Sequence, residues 1–229
     1  MIICIPMAGV SKRFKDAGIM TPKPFLEVAG SPLLQYALGS LSKLEGRYEF
    51  LMNEEVASHP LLKTIPLTGH QHILTTQTPG PLQTVLTIRE CLANEEELLI
   101  ADCDSCMDEY ELKEAVEVFR KSGANGGVTV RMTSDPLCSY AEVDSAYWVK
   151  ETREKEVFSR WSTTGPYWFK SGTTFLVAAQ KAANAHHVSI SPVYNYVEKV
   201  KAVPVGSFKH LGTPEAYLKF KQSVESLMN

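Results

Sequence analysis

The chain has 229 residues, a formal net charge of −3, 44% hydrophobic residues and 21% charged residues. These values fit one globular domain, or one with a small insertion, that buries about 70% of the surface its unfolded chain exposes. They argue against a nucleic-acid binder with a broad basic face, and no apolar run reaches the length of a membrane span.

The first element is the short apolar run Ile2-Ile3-Cys4-Ile5, the mark of a buried parallel strand, although a buried helix segment has the same pattern. Pro6 ends it, and Met7-Ala8-Gly9-Val10-Ser11 follows as a loop of mostly small residues. Gly9 lacks the Cβ that would keep a ligand away from the backbone. Successive N–H groups in such a loop form a concave anion receptor. Arg13 adds a planar donor fork suited to phosphate, and Lys23 a compact charge between Pro22 and Pro24. The two prolines restrict the chain there, so less entropy is lost when Lys23 engages a ligand. An ordinary strand and loop with surface cations is the plainer alternative.

Ser31-Pro32 predicts a helix start, Ser as N-cap and Pro at N1, running to about Lys43. Strands are expected at Tyr48–Met52 and Gln71–Thr75, and a helix from Pro81 after the flexible Gly80. That helix start would offer free N–H groups and a positive dipole end. Leu98–Ala101 reads as the next buried strand and runs into Asp102-Cys103-Asp104. In an open α/β sheet, ligands lie beyond the carboxyl ends of the strands. A carboxylate there suits Mg²⁺, a hard ion that takes oxygen ligands. Alternation puts Asp102 and Asp104 on one side, with Asp104 as ligand and Asp102 as helper; a helix cap is the competing reading. Cys103 and Cys106 form a C-x-x-C, but five cysteines with no second such pair read as reduced thiols rather than a disulfide or zinc framework. The start lacks a secretory leader, so the expected location is cytoplasmic. Glu111–Lys121 reads as an amphipathic helix ending at Ser122-Gly123.

Beyond Gly126 strands dominate: Gly127–Met132, a hairpin of Tyr140–Asp144 with Ala146–Val149, Glu156–Phe158 and Gly165–Phe169. The alternating first half predicts a parallel sheet with helices on its faces, and the second half adds mixed strands to it. One domain over residues 1–229 is expected, in two halves, 1–125 and 126–229.

The ordered string Gly9, Arg13, Pro22-Lys23-Pro24-Phe25-Leu26-Glu27-Val28-Ala29-Gly30 resembles the N-terminal signature of sugar-phosphate nucleotidyltransferases, the glucose-1-phosphate thymidylyltransferase-like NTP transferases. Phe208-Lys209-His210-Leu211-Gly212-Thr213-Pro214-Glu215 is similar to the stretch that precedes the final helix in that family. The resemblance implies a Rossmann-like three-layer sandwich, a mostly parallel mixed sheet with helices on both faces. It implies a pyrophosphorylase-type enzyme that moves NMP from an NTP to a phosphorylated small molecule, for surface glycan synthesis, with Mg²⁺ as cofactor. No nucleic-acid or membrane partner is implied, and a homo-oligomer is left open.

By the same resemblance, Arg13 and Lys23 are catalytic, and Met7, Ala8, Gly9, Ser11, Gln77 and Gly80 bind nucleotide. Asp104 and Asp102 hold metal. Tyr140, Glu154, Lys155, Gly165, Tyr167 and His210 line the acceptor pocket. Two departures stand out. Gly80-Pro81-Leu82 replaces the Gly-Thr-Ala that reads the base in relatives, and His210 stands where many have an Asp as second metal ligand. A cytidylyltransferase for a non-sugar phosphate, or a nucleotide sensor without catalysis, are the alternatives.

Overall fold

The computed structural model describes residues 1–228. The first half comprises β1 (Ile2–Met7), α1 (Lys12–Asp16), β2 (Glu27–Val28), β3 (Ser31–Pro32), α2 (Leu33–Ser40), β4 (Arg47–Asn53), α3 (Glu54–Ala57), β5 (His70–Leu74), α4 (Pro81–Leu86), α5 (Arg89–Leu92), β6 (Leu98–Ala101), β7 (Ser105–Cys106) and α6 (Glu109–Lys121). The second comprises β8 (Gly126–Met132), β9 (Tyr140–Val143), β10 (Val149–Arg153), β11 (Trp161–Phe169), α7 (Gly172–Asn184), β12 (Val200–Pro204), β13 (Lys209–His210) and α8 (Pro214–Met228).

Nine strands form one mixed sheet, with the path β10-β9-β11-β6-β1-β4-β5 and with β8 joining β11 to β12. Strand β1 lies between β4 and β6, parallel to both. The chain steps from β1 outward through β4 to β5, then returns to β6 on the other side of β1. That reversal opens a crevice at the carboxyl ends of β1 and β6, where ligands bind in open α/β sheets. Strand β11 runs antiparallel to β6 and β8 and carries the second half into the same sheet.

Both faces of the sheet are covered, as the continuous apolar runs require. Ile3, Ile5 and Met7 pack with Leu34 of α2 and Leu112 and Phe119 of α6. Ile2 and Cys4, pointing the other way, pack with Leu82 of α4 and Phe175 and Ala178 of α7. A third cluster of Phe14, Leu26, Val28, Leu33, Leu211 and Tyr217 ties the segment around Lys23 to the C-terminal helix. The Tyr217 hydroxyl donates to the Glu27 carbonyl at 2.9 Å.

Three local expectations are corrected. Ser31 does not cap a helix. Ala29 and Gly30 both take positive φ, +49° and +77°, and close a hairpin that pairs Ser31–Pro32 with Glu27–Val28. Two left-handed residues in succession are the requirement of a tight hairpin turn, and that geometry overrides the Ser-Pro cap signal. The helix begins at Leu33, with extended Pro32 at the N-cap. Glu156–Phe158 is irregular, and strand β10 lies upstream of it, paired with β9 across the longer turn Asp144–Trp148. Gly80 has φ −177°, ordinary extended backbone. Its glycine is required by space, since a Cβ there would stand 2.6 Å from the Val188 carbonyl oxygen.

Candidate functional site

Two cavities meet at the crevice. The larger, about 450 Å³, is lined by the loop Pro6–Phe14, Lys23, Gln77–Pro81 and Asp102–Asp104. The smaller, about 200 Å³, is lined on its polar side by Ser139, Glu154, Lys155, Thr163, Tyr167 and His210. Arg13, Pro81 and Asp102 belong to both walls.

The loop after β1 is fixed from two sides. Asn53, at the end of β4, donates from Nδ2 to the Ala8 carbonyl at 3.1 Å. Its Oδ1 accepts the Val56 N–H at 2.8 Å and caps α3. Ser11 takes φ +55° just before α1, and its Oγ accepts the Lys23 N–H at 2.9 Å. Gly9 faces open space, with nothing within 4 Å of where its Cβ would be. The left-handed turn falls on Ser11 rather than on the glycine, at a cost of about 1 kcal/mol or more that the Lys23 contact offsets.

Lys23 and Asp104 form the polar centre, Nζ to Oδ2 at 2.8 Å. Partial burial opposes the charge on Lys23, yet Asp104 beside it, with Cys103 and Asp102 near, holds the ammonium above the usual lysine range. Burial likewise opposes ionisation of Asp104, but Lys23 and then His210 keep its carboxyl below the usual range. Asp102 goes the other way: burial and the Asp104 charge push it up to about 7 against the pull of Lys23. Two adjacent carboxylates with one strong cationic partner divide in this manner. Cys103 between them is a buried free thiol pushed up to about 12 by burial.

Two glycines make room for these acids. A Cβ on Gly165 would lie 2.4 Å from Asp102 Oδ2, and one on Gly212 would lie 2.3 Å from Asp104 Oδ2. His210 pairs across from Ser105 in the β13–β7 ladder, which brings its ring beside Asp104. Burial, only partly opposed by Asp104, lowers its pKa. Among the described residues, no group of three His, Cys, Asp or Glu side chains could hold a metal ion. Asp104, a buried carboxylate with an oxygen already turned to a cationic partner, fits a hard divalent ion that completes its shell with phosphate and water.

The predicted residues Met7, Ala8, Gly9, Ser11, Arg13, Lys23, Gln77, Gly80, Asp102 and Asp104 all border the larger cavity. Glu154, Lys155, Gly165, Tyr167 and His210 border the smaller. Lys155 sits at φ +53°, a strained conformation at the turn after β10. Tyr140 is not brought there. It is fully buried, and its hydroxyl donates to the Asp135 carbonyl at 2.8 Å, anchoring the loop after β8. The expected free donors at the start of α4 are also reduced, because Pro81 has none and the Leu82 N–H donates to Val188 at 3.0 Å. Sequence reasoning missed Asn53, whose signal was an Asn at a strand end followed by two acids. It also missed Thr84, Ser139 and Thr163, for which the sequence carries no mark.

A sequence profile for the MobA-like NTP transferase domain matches residues 3–158. The chain belongs to that family. This NTP transferase is therefore an enzyme of the nucleotidyltransferase class. No curated protein sequence matches it. Its fold is similar to a nucleoside-diphosphate-sugar pyrophosphorylase from Vibrio cholerae RC9, with 20% identity, a TM-score of 0.79, and 97% of this chain and 100% of that one covered. It is also similar to UTP-bound UGPase from Acinetobacter baumannii, at 15% identity and TM-score 0.79, covering 97% and 92%. A UDP-glucose pyrophosphorylase complexed with UDP-glucose aligns at 15% identity and TM-score 0.78, covering 98% of each chain. At these identities the likeness establishes the fold, a mixed sheet sandwiched by helices.

Proposed function

We propose that this NTP transferase joins an NMP to a sugar phosphate and releases pyrophosphate, with the nucleotide in the larger cavity and the acceptor in the smaller. The observation that carries the reading is the shared wall of the two cavities at Arg13, Pro81 and Asp102, with the Lys23–Asp104 pair beside it. An acceptor phosphate oxygen entering from one side and a leaving pyrophosphate on the other meet across that wall. Such a displacement needs no covalent enzyme intermediate, so the protein's contribution is positioning and charge.

In this reading Met7, Ala8, Gly9 and Ser11 cradle the triphosphate and Arg13 engages its β- and γ-phosphates. Lys23 donates to the α-phosphate between attacker and leaving group. Gln77 and Gly80 contact the base. Asp104, assisted by Asp102, would hold Mg²⁺, which would neutralise charge on the triphosphate. Glu154 accepts from acceptor hydroxyls, Lys155 and His210 face its phosphate, and Tyr167 and Gly165 shape the pocket. The fold relatives that carry UTP and UDP-glucose support a sugar acceptor. Five free cysteines fit a reducing, cytoplasmic setting.

A second reading, a cytidylyltransferase acting on a small non-sugar phosphate, is favoured by the acceptor cavity of only about 200 Å³ and by Pro81 and the occupied Leu82 N–H at the base wall. A pyrophosphate-release screen of the common NTPs against phosphorylated sugars and phosphorylated alcohols tests both. Release with a sugar phosphate supports the first; release only with a non-sugar phosphate selects the second. NTP binding without release for any acceptor leaves a nucleotide sensor.

A further inference from the structure

We propose that Asn53 is a positioning residue of the loop after β1: its side-chain amide holds the Ala8 carbonyl and so turns the Gly9 N–H into the larger cavity, as a donor to a phosphate oxygen of the NTP. The proposal rests on the nucleotidyl-transfer reading above, and adds to it a residue that lies outside the cavity wall.

The parallel ladder between β1 and β4 ends at the pair Met7 and Met52. One residue past that pair the Asn53 side chain makes the next link, donating from Nδ2 to the Ala8 carbonyl at 3.1 Å while its Oδ1 accepts the Val56 N–H at 2.8 Å. The two partners fix which way the amide faces, since a carbonyl only accepts and an N–H only donates. The Ala8 carbonyl and the Gly9 N–H belong to one trans peptide unit. In a planar trans unit these two groups point in opposite directions. Asn53 stands outside the wall of the larger cavity, whereas Gly9 is exposed and forms part of it. A carbonyl drawn towards Asn53 therefore leaves the Gly9 N–H directed at the cavity. Among the described residues that N–H has no acceptor.

The direction of this peptide unit decides what the loop offers. With the carbonyl held back, an N–H faces the anion, as in a backbone anion receptor. With the unit reversed, a carbonyl oxygen would face the phosphates and repel them. Glycine has no side chain to resist that reversal, so the loop depends on a clamp from outside. Asparagine suits the task because one amide both donates and accepts. Asp and Ser serve as well at a helix N-cap, but an ionised Asp has no donor for Ala8 and Ser lacks the atom that reaches it. Keeping the cap matters, because Glu55 of α3 pairs with Lys15 of α1 at 2.9 Å. Loss of α3 would disturb the helix that carries Arg13.

The test uses the full-length protein and its cap-competent variants N53D and N53S. Inorganic triphosphate with Mg²⁺ is the binding probe, the part common to every NTP. In wild-type protein labelled at glycine nitrogen, the Gly9 amide proton should move downfield when the probe is added. Both variants should bind the probe at least ~tenfold more weakly, the scale of a hydrogen bond to a charged group. In pyrophosphate release both should raise KM for the NTP by a similar factor, with kcat less affected. Thermal melts check that both fold, and the wild-type amide shift does not depend on either variant. A Gly9 amide that triphosphate leaves unmoved, or probe affinity and KM unchanged in both folded variants, overturns the proposal. Loss in N53D alone traces to its added charge and overturns it as well, since N53S is neutral. Pyrophosphate release by the wild type separates the two levels. Release with an unmoved Gly9 amide rejects the role of Asn53 and leaves nucleotidyl transfer standing. No release with any NTP and any acceptor rejects the reading beneath it.

Discussion

The Lys23 ammonium lies 2.8 Å from Oδ2 of Asp104. The residue assigned to the α-phosphate and the residue assigned to the cation are thus partners. In the proposed reaction a nucleotide with its cation would exchange this pair for two others, cation with Asp104 and phosphate with Lys23. The buried carboxylate stays compensated throughout, which matters because an unpaired buried charge costs several kcal/mol.

Lys23→Ala is expected to lower turnover at least about a hundredfold, the scale of about 3 kcal/mol for one lost donor to developing charge. Steady-state kinetics of pyrophosphate release measure it, and near-normal kcat in a folded Lys23→Ala protein removes Lys23 from the chemistry.

Asp104→Asn is expected to remove the cation-dependent part of nucleotide stabilisation. In the wild type, UTP or CTP at about a hundred times its Kd with a divalent cation should add about 2.7 kcal/mol, or roughly 5–10 °C in Tm for a chain of this size. Thermal melts with and without the cation compare the two proteins. An equal cation-dependent shift in Asp104→Asn places the ion elsewhere.

Gly212→Ala tests the crowding over the acids. Its Cβ would stand 2.3 Å from Asp104 Oδ2, so the carboxylate or the His210 ring must move. Overpacking of this kind costs about 1–3 kcal/mol of stability, and activity should fall much further than stability. Retained activity with unchanged cation affinity contradicts the assigned geometry.

How much of this is legible in the sequence depends on the kind of feature. The apolar run Leu98–Ala101 ending in two acids announces a strand end with a carboxylate, because burial and charge are written in residue types. The loop after β1 and the lysine between two prolines are legible for the same reason. Contacts between distant segments are not. Gly80, Gly165 and Gly212 look alike in sequence, yet one is cleared for the Val188 carbonyl and the others for Asp102 and Asp104. Tyr140 at a strand start reads the same whether its hydroxyl meets a ligand or, as here, a loop carbonyl. Ser31-Pro32 carries a good helix-start signal that loses to the neighbouring pair of left-handed residues.

Away from the two cavities, a buried carboxylate with partly exposed partners bears on stability at acid pH. Glu49, 1% exposed, is bonded to His72 Nε2 at 2.7 Å, to His70 Nδ1 at 3.2 Å and to Arg47. Burial opposes its charge, but these hydrogen bonds and the Arg47 charge hold its carboxyl below the usual range. A carboxyl lowered in the folded state binds fewer protons there than in the unfolded chain, so its stabilisation is present above about pH 4.5 and lost as pH falls below it. Glu49→Gln should destabilise by about 1.5–3 kcal/mol at pH 7, the scale of lost hydrogen bonds to a charged group, and by less at pH 3.5. Denaturant melts across pH read this, and a pH-independent difference excludes the charge of Glu49 as its cause.

The most direct test of the central claim is pyrophosphate release by the purified protein, with each common NTP, a divalent cation and a panel of sugar phosphates, run beside Lys23→Ala. The account predicts release that requires both the NTP and one phosphorylated acceptor, with the nucleotide recovered on the acceptor, and its loss in the variant. Release that proceeds without any acceptor, or that Lys23→Ala leaves intact, contradicts it.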